Sequence, residues 1–464
     1  MEEQSGRKHF RERMENMVRT IREEIATGKL KDGQFLPSEK AYAKAYKLSN
    51  KSVRQGLDIL VSERLVEKIP RVGNKVVRRA ANVQSTLKFG YYPSLLGQAA
   101  LETLIEQFHN RHPDIQVQLV PLPSSHTSQA LKPLLADGGI DLLTMSASGF
   151  ADFAENGDME EFETLEPVPH IYRFLTEAMS HNGRLKMQPF IFSPLILCYN
   201  RSHFRKKDVP EPDSSWRWDD LFEYAAMLSE EKERVGFYFH FPSYNRWPVF
   251  LLQSGMTFRR DEEGSMKLTG TSLLDGLRLC QRLMASQNHF PLLLSEKEAD
   301  AEKLFFAGKV SMIMTTYFSL DAYRHHPAVK YDIAPLPYGN ENRTLLLSIG
   351  LAVSRRSERK DSARLLLDFL VCYRSQLTIR QNTLSIPSLK PAAEWSGAES
   401  MYRPSRFHLY REIIPTFALH SSLKLSIDEL QMFQSEARLY WSGLEAEEVL
   451  LERLERVLSR TVSV

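Results

Sequence analysis

The chain has 464 residues, 42% hydrophobic and 25% charged, an ordinary balance for folded protein and long enough for two or three domains with their own cores. Its net charge of +2 conceals an asymmetry, because residues 1–80 hold 19 Lys and Arg against 11 Asp and Glu, leaving 41 against 47 for the rest. A basic head on an acidic body suits a polyanion bound by the head alone, and no run reaches the roughly 18 apolar residues of a membrane span.

Residues Met1 to Lys8 carry no apolar stretch of the kind that directs export, so a cytoplasmic location is expected and no membrane contact. Cys198, Cys280 and Cys372 are odd in number, far apart and flanked by Leu, Tyr or Val, which suits reduced thiols in that compartment. His109 with His112, and His325 with His326, lack a third ligand at metal spacing, so surface histidines and no metal are expected.

In the head, Pro37 and Ser38 stop one segment and cap the next, and Ser49 caps a second helix. Val53, Leu57, Leu60 and Val61 give that helix one apolar face. Asn50, Lys51, Arg54 and Gln55 fall on the other face, at the end that a helix-turn-helix pushes into the major groove. Leu65–Ile69, the turn at Gly73 and Val76–Val77 then read as a two-stranded wing.

Over residues 8–79 this resembles the GntR type of winged helix-turn-helix. The resemblance rests on Gly28, Leu30 and Gly33, on Leu36-Pro-Ser-Glu-Lys40, on Leu48-Ser-Asn-Lys-Ser-Val-Arg54 with Leu57, on Arg64-Leu-Val66 and on Arg71-Val-Gly-Asn-Lys-Val76. It implies a DNA-binding domain over 1–79 that contacts operator DNA through Ser38, Lys40, Ser49, Asn50, Lys51, Ser52, Arg54, Gly73 and Lys75, as a homodimer on an inverted repeat. Lys40 and Asn50 stand where the family commonly has Arg, and Arg71 replaces the first wing glycine. Neither Lys nor Asn reproduces the bidentate Arg–guanine pair, which leaves the base preference there open.

Residues 80–86 are polar and read as a linker. Beyond them strands and helices alternate: a strand at Leu87–Tyr91, a helix at Ala99–Phe108, a strand at Ile115–Pro121, a helix near His126–Ala136 and a strand at Asp141–Met145. That alternation is an α/β pattern. Leu430–Ser459 reads as a helical tail, with Ser442 and Glu445 spaced as a capping box.

Five stretches of residues 87–464 resemble, in order, the family-1 solute-binding proteins of ABC sugar importers. They are Phe108–Val117, Asp137–Leu142, Pro194–Phe204 continued by Trp216–Leu221, Phe306–Met312, and Asp332–Pro337 with Ala363–Leu370. The resemblance implies a two-lobed, periplasmic-binding-protein-like (type II) α/β body whose cleft holds a small molecule, a sugar or oligosaccharide, on aromatic platforms. Carried over, the ligand residues are Tyr92, Ser146, Ser148, Phe190, Tyr244, Asn245, Trp247 and Tyr317, with Trp247 and Tyr317 fitting a platform or the core equally well. Tyr199, Asn200, Trp216 and Trp218 are read as hinge and lobe core.

The whole is expected to be a ligand-responsive transcriptional regulator. The alternative is a GntR head on an aminotransferase-like pyridoxal phosphate body, which needs an Asn-Pro-x-Gly turn and a Schiff-base lysine. The chain has no Asn-Pro, and Ser421-Ser-Leu-Lys424 lacks the arginine expected beyond it. A transport component is disfavoured by the head and the absent export signal. No Gly-x-Ser-x-Gly, His-Glu-x-x-His or P-loop occurs, so neither an enzyme nor a cofactor is expected.

Overall fold

The computed structural model describes residues 13–14, 16–22, 24–25, 29–63, 65–70, 72–77, 85–123, 127–285, 295–398 and 401–459. The chain divides into two compact units, Met1–Ser85 and Thr86–Val464. Gly28, Arg64, Arg71, His126 and linker residues 80–84 lie outside the described residues.

In the first unit, helix α1 (Glu39–Tyr46) starts where Ser38 Oγ accepts from the Ala41 N–H at 3.2 Å, and it ends at Lys47 in the left-handed region, φ 51°. Helix α2 (Asn50–Ser62) starts in the same way, Ser49 Oγ accepting from the Ser52 N–H at 3.2 Å. Val53, Leu57 and Leu60 are buried with Met17, Val18 and Ile21 from helical residues 16–22, whereas Val61 is only partly covered. Strands β1 (Val66–Ile69) and β2 (Gly73–Val76) pair antiparallel as the wing. Gly73 holds φ +142°, which a residue with a β-carbon adopts only under strain.

The second unit opens with β3 (Ser85–Tyr91), α3 (Leu101–Arg111), β4 (Ile115–Pro121), α4 (Ser128–Leu135), β5 (Leu142–Ser146) and α5 (Ala147–Glu155). The long strand β6 (Gln188–Asn200) follows, buried at all 13 positions. After it come α6 (Trp218–Leu228), β7 (Val235–Tyr238), α7 (Pro248–Gln253), α8 (Glu298–Phe306), β8 (Val310–Thr316), β9 (Tyr331–Ala334), β10 (Thr344–Val353), α9 (Lys360–Val371), α10 (Ile427–Trp441) and α11 (Glu447–Ser459). The main sheet runs β4-β3-β5-β10-β6-β8-β7, with β9 also on β6.

Two hydrophobic cores share that sheet. One gathers Leu87, Phe89, Phe108, Phe153, Ile191 and Leu351, the other Leu197, Phe237, Trp247, Ile313, Leu345 and Phe433. Strand β6 gives Phe190 and Ile191 to the first and Leu195–Tyr199 to the second, while the antiparallel β10 gives Ile349 and Leu351–Val353 to the first and Leu345–Leu346 to the second. These cores are two lobes, and β6 and β10 are the strands that join them. A mixed sheet with helices on it makes the body α/β.

Tyr199, Asn200, Trp216 and Trp218 are buried, with Trp218 Nε1 donating to Gln253 at 2.6 Å. One expectation changes. The box at the tail is Ser426 with Glu429 at the start of α10; Ser442 ends that helix, and Glu445 instead takes the Arg453 guanidinium. His109 is partly exposed, and its Nε2 accepts from the Val117 N–H at 3.0 Å. Lys424, the lysine an aminotransferase-like body would offer, sits exposed in the left-handed turn after His420–Leu423. Cys198 and Cys280 are buried and free, and Cys372 is partly exposed.

Candidate functional site

On the head, the first turn of α2 presents the exposed side chains of Asn50, Lys51 and Arg54, with exposed Lys40 on α1. Ser38 and Ser49 spend their oxygens on the caps, so their contribution is to fix where each helix begins. Ser52, expected at the DNA, is 3% exposed and its hydroxyl lies 2.6 Å from that of Ser49; it braces the cap from inside. Gly73 is exposed at the start of β2, and Lys75 is partly buried, its backbone forming a bridge with Phe35. Arg54 Nε donates to Glu39 Oε2 at 2.6 Å. With Arg54 61% exposed, the pair is worth at most about 1 kcal/mol and yields readily to a phosphate or base edge.

In the body a cavity of about 630 Å³ is walled by both lobes, and residues Leu346–Ile349 of β10 form part of its lining. The first lobe supplies Tyr92 and the start of α5. The Tyr92 hydroxyl accepts from the Ser146 N–H at 3.1 Å, Ser146 Oγ caps α5 by accepting from the Gly149 N–H at 3.1 Å, and the Ser146 and Ser148 hydroxyls are 3.0 Å apart. Burial raises the Tyr92 phenol well above its usual pKa, so it stays neutral.

The second lobe supplies Tyr244, Asn245, Arg246, Glu298 and His420, while Phe318 lines the cavity from the first lobe's core. Tyr244 and His420 stack face to face, ring centres 4.2 Å apart and 3° from parallel. His420 Nε2 lies 3.0 Å from the Tyr244 carbonyl oxygen, and because a carbonyl only accepts, Nε2 carries the proton. Arg246 donates to Glu298 Oε2 at 2.9 Å, and Ser243 Oγ donates to the other carboxylate oxygen.

Burial lowers the His420 pKa to about 4. A folded-state pKa below the unfolded value of about 6.5 means that neutral His420 contributes stability fully present above about pH 6.5 and lost as pH falls toward 4. Urea unfolding across that window should show His420→Gln flattening the acid slope by up to about 1.4 kcal/mol per pH unit. An unchanged slope would mean that the ring is charged or solvated in the folded protein.

Of the residues expected at the ligand, Tyr92, Ser146, Ser148, Tyr244 and Asn245 come together on this cavity. Three do not line it. Phe190 is fully buried in the first lobe's core. Tyr317 is fully buried with its hydroxyl donating to the Phe407 carbonyl at 3.0 Å, and Trp247 is fully buried against Phe433 and Trp441. A ring enclosed on all sides has no face left for a ligand. His420 was missed because it lies well beyond the last stretch that carries the resemblance; Glu298 and Phe318 flank the Phe306–Met312 stretch but match no position in it.

The bacterial extracellular solute-binding protein family matches residues 92–371, and the gntR family of bacterial regulatory proteins matches residues 14–76. The sn-glycerol-3-phosphate-binding periplasmic protein UgpB of Escherichia coli O1:K1 / APEC is 22% identical over 356 residues, covering 69% of this chain and 79% of that protein. Maltose-bound MalE3 of T. maritima superposes with a TM-score of 0.69 at 19% identity, over 81% of this chain and 99% of that one. An ABC substrate-binding protein of Listeria monocytogenes in complex with cycloalternan superposes at 0.66 and 18% identity, over 81% and 98%. At such identities the structures speak for the fold, which is the two-lobed one described above.

Proposed function

Because the chain belongs to the bacterial extracellular solute-binding protein family and carries a gntR-type head, we propose that it is a cytoplasmic transcriptional regulator that binds operator DNA as a homodimer and senses a carbohydrate. The observation that carries this reading is the union, in one chain, of exposed Asn50, Lys51 and Arg54 at a capped helix start with a 630 Å³ cavity walled by two lobes. The cavity's size falls within the range of small-molecule sites. Its lining of aromatic faces, hydroxyls and carboxamides suits a polyol that stacks its C–H surface and points its hydroxyls at the walls. The relatives' names speak of maltose, cycloalternan and sn-glycerol-3-phosphate, all polyhydroxylated.

Sensing requires that solute and operator bias one another's affinity, by about 1–3 kcal/mol in typical couplings, or roughly 5–150-fold. The test has two stages. Selection from a random duplex pool by the purified protein should yield an inverted repeat, and Arg54→Ala should weaken binding to it by about 1–3 kcal/mol in a gel-shift titration. A sugar panel read by thermal shift then identifies the solute, which should change operator affinity when added to the gel shift. No enriched sequence would sink the regulator; a solute that binds without altering operator affinity would sink the sensing.

A further inference from the structure

We propose that the cavity selects uncharged, hydroxyl-rich ligands against phosphorylated ones, and that Glu298 makes the selection. The inference rests on the carbohydrate reading above and narrows it, since a sugar and its phosphate ester share the polyol and differ in charge.

Among the described residues that line the cavity, Arg246 and Glu298 are the charged pair; His420 is neutral at physiological pH. The pair is lopsided. The Arg246 side chain is 2% exposed and that of Glu298 is 35% exposed, so the ligand meets the carboxylate and not the guanidinium behind it. Arg246 is further occupied by the Asn245 carbonyl, to which it donates at 3.1 Å. Glu298 takes one hydrogen bond on each oxygen, from Arg246 and from Ser243, and a carboxylate has about four lone-pair sites. The sites left over accept from a ligand O–H. The dianion of a phosphate ester has no P–OH proton to give, and ester and inorganic phosphate alike bring a like charge, whose juxtaposition in a partly desolvated cleft is strongly unfavourable.

The start of α5 pulls the other way, since a helix N-terminus carries roughly half a positive charge. Its cap already has an internal acceptor: Ser146 Oγ takes the Gly149 N–H. The partly buried hydroxyls of Ser146 and Ser148 beside it serve a neutral hydroxyl as well as they serve an anion.

The test is calorimetric titration of the full-length protein with maltose, sn-glycerol-3-phosphate and inorganic phosphate. Wild type should show no saturable binding of either phosphate compound. Glu298→Gln can keep its oxygen toward Arg246 and turn its NH2 toward Ser243 Oγ, which then accepts, but it leaves the Arg246 charge uncancelled, so sn-glycerol-3-phosphate should gain affinity by at least about tenfold. The double variant Glu298→Gln with Arg246→Gln should lose that gain, which separates charge from shape, and thermal unfolding of each variant checks that it is folded. Binding of either phosphate compound by wild type overturns the proposal, as does a Glu298→Gln protein that is folded and gains nothing. These arms do not depend on maltose. If no neutral sugar binds wild type while the phosphate arms behave as stated, the carbohydrate reading fails and the charge filter stands.

Discussion

Replacing Trp247 by alanine is expected to lower the stability of the folded body by about 3–5 kcal/mol, the usual range for removing a fully buried large aromatic. The indole is 0% exposed, stacks 5.7 Å from Phe433 and meets Trp441 edge-on at 5.6 Å. All three rings belong to the second lobe's core, where α7 meets α10. Truncation leaves a cavity bounded by rigid rings, which relax little, so the loss should sit at the high end of the range. Urea unfolding of the purified variant reads it. A platform at this position would give the opposite pattern, near-normal unfolding with the solute response abolished, and that result would return Trp247 to the cleft.

Gly236→Ala is expected to cost about 3 kcal/mol or more, because it drives a β-carbon into backbone. A Cβ built on Gly236 in β7 would lie 1.9 Å from the Ala225 carbonyl oxygen and 2.5 Å from the Ala225 Cα, both in α6. No rotamer relieves such a contact; the helix itself must move off the strand. That displacement would also stretch the bond from the Gly236 N–H to Ser229 Oγ, now 2.9 Å. Thermal unfolding should show the loss directly, and an alanine variant within about 0.5 kcal/mol of wild type would mean that α6 sits farther from β7.

Local order was legible in the sequence wherever a short-range rule governed it. Ser38 and Ser49 announce the helix starts, period-four apolar spacing announces α2, and the Ile115–Pro121 strand is bounded by Pro113 and its own end. The cleft was half legible for a different reason. Tyr92, Ser146 and Ser148 follow directly on β3 and β5, so knowing the strands places them at strand ends facing the gap. Trp247 and Tyr317 follow the same kind of cue, yet the chain beyond residue 400 covers them: Phe407 and Tyr410 close over Tyr317, Phe433 and Trp441 over Trp247. That cover comes from segments 90 or more residues away, and no local pattern announces it. Glu298 and His420 also meet their partners in the cleft across long separations, 52 residues from Arg246 and 176 from Tyr244, which is why a reading built on neighbouring residues passed over both.

The two strands that join the lobes set a timetable for making the protein. The first lobe's core begins with Leu87 and Phe89 but also needs Ile349, Leu351 and Leu370, and the inner edge of β5 is closed only when β10 pairs with it from Val353 to Ile349. At a translation rate of about 5–20 residues per second, the stretch from Ile191 to Ile349 takes roughly 10–30 s. Through that interval the ribosome carries a lobe with an open sheet edge and an unsealed apolar face, the condition under which nascent chains stick to one another. The head has no such debt to the far end of the chain, since Met17, Leu57, Leu60 and Val76 meet within the first unit. The head is therefore finished early, and the two-lobed body is finished almost last.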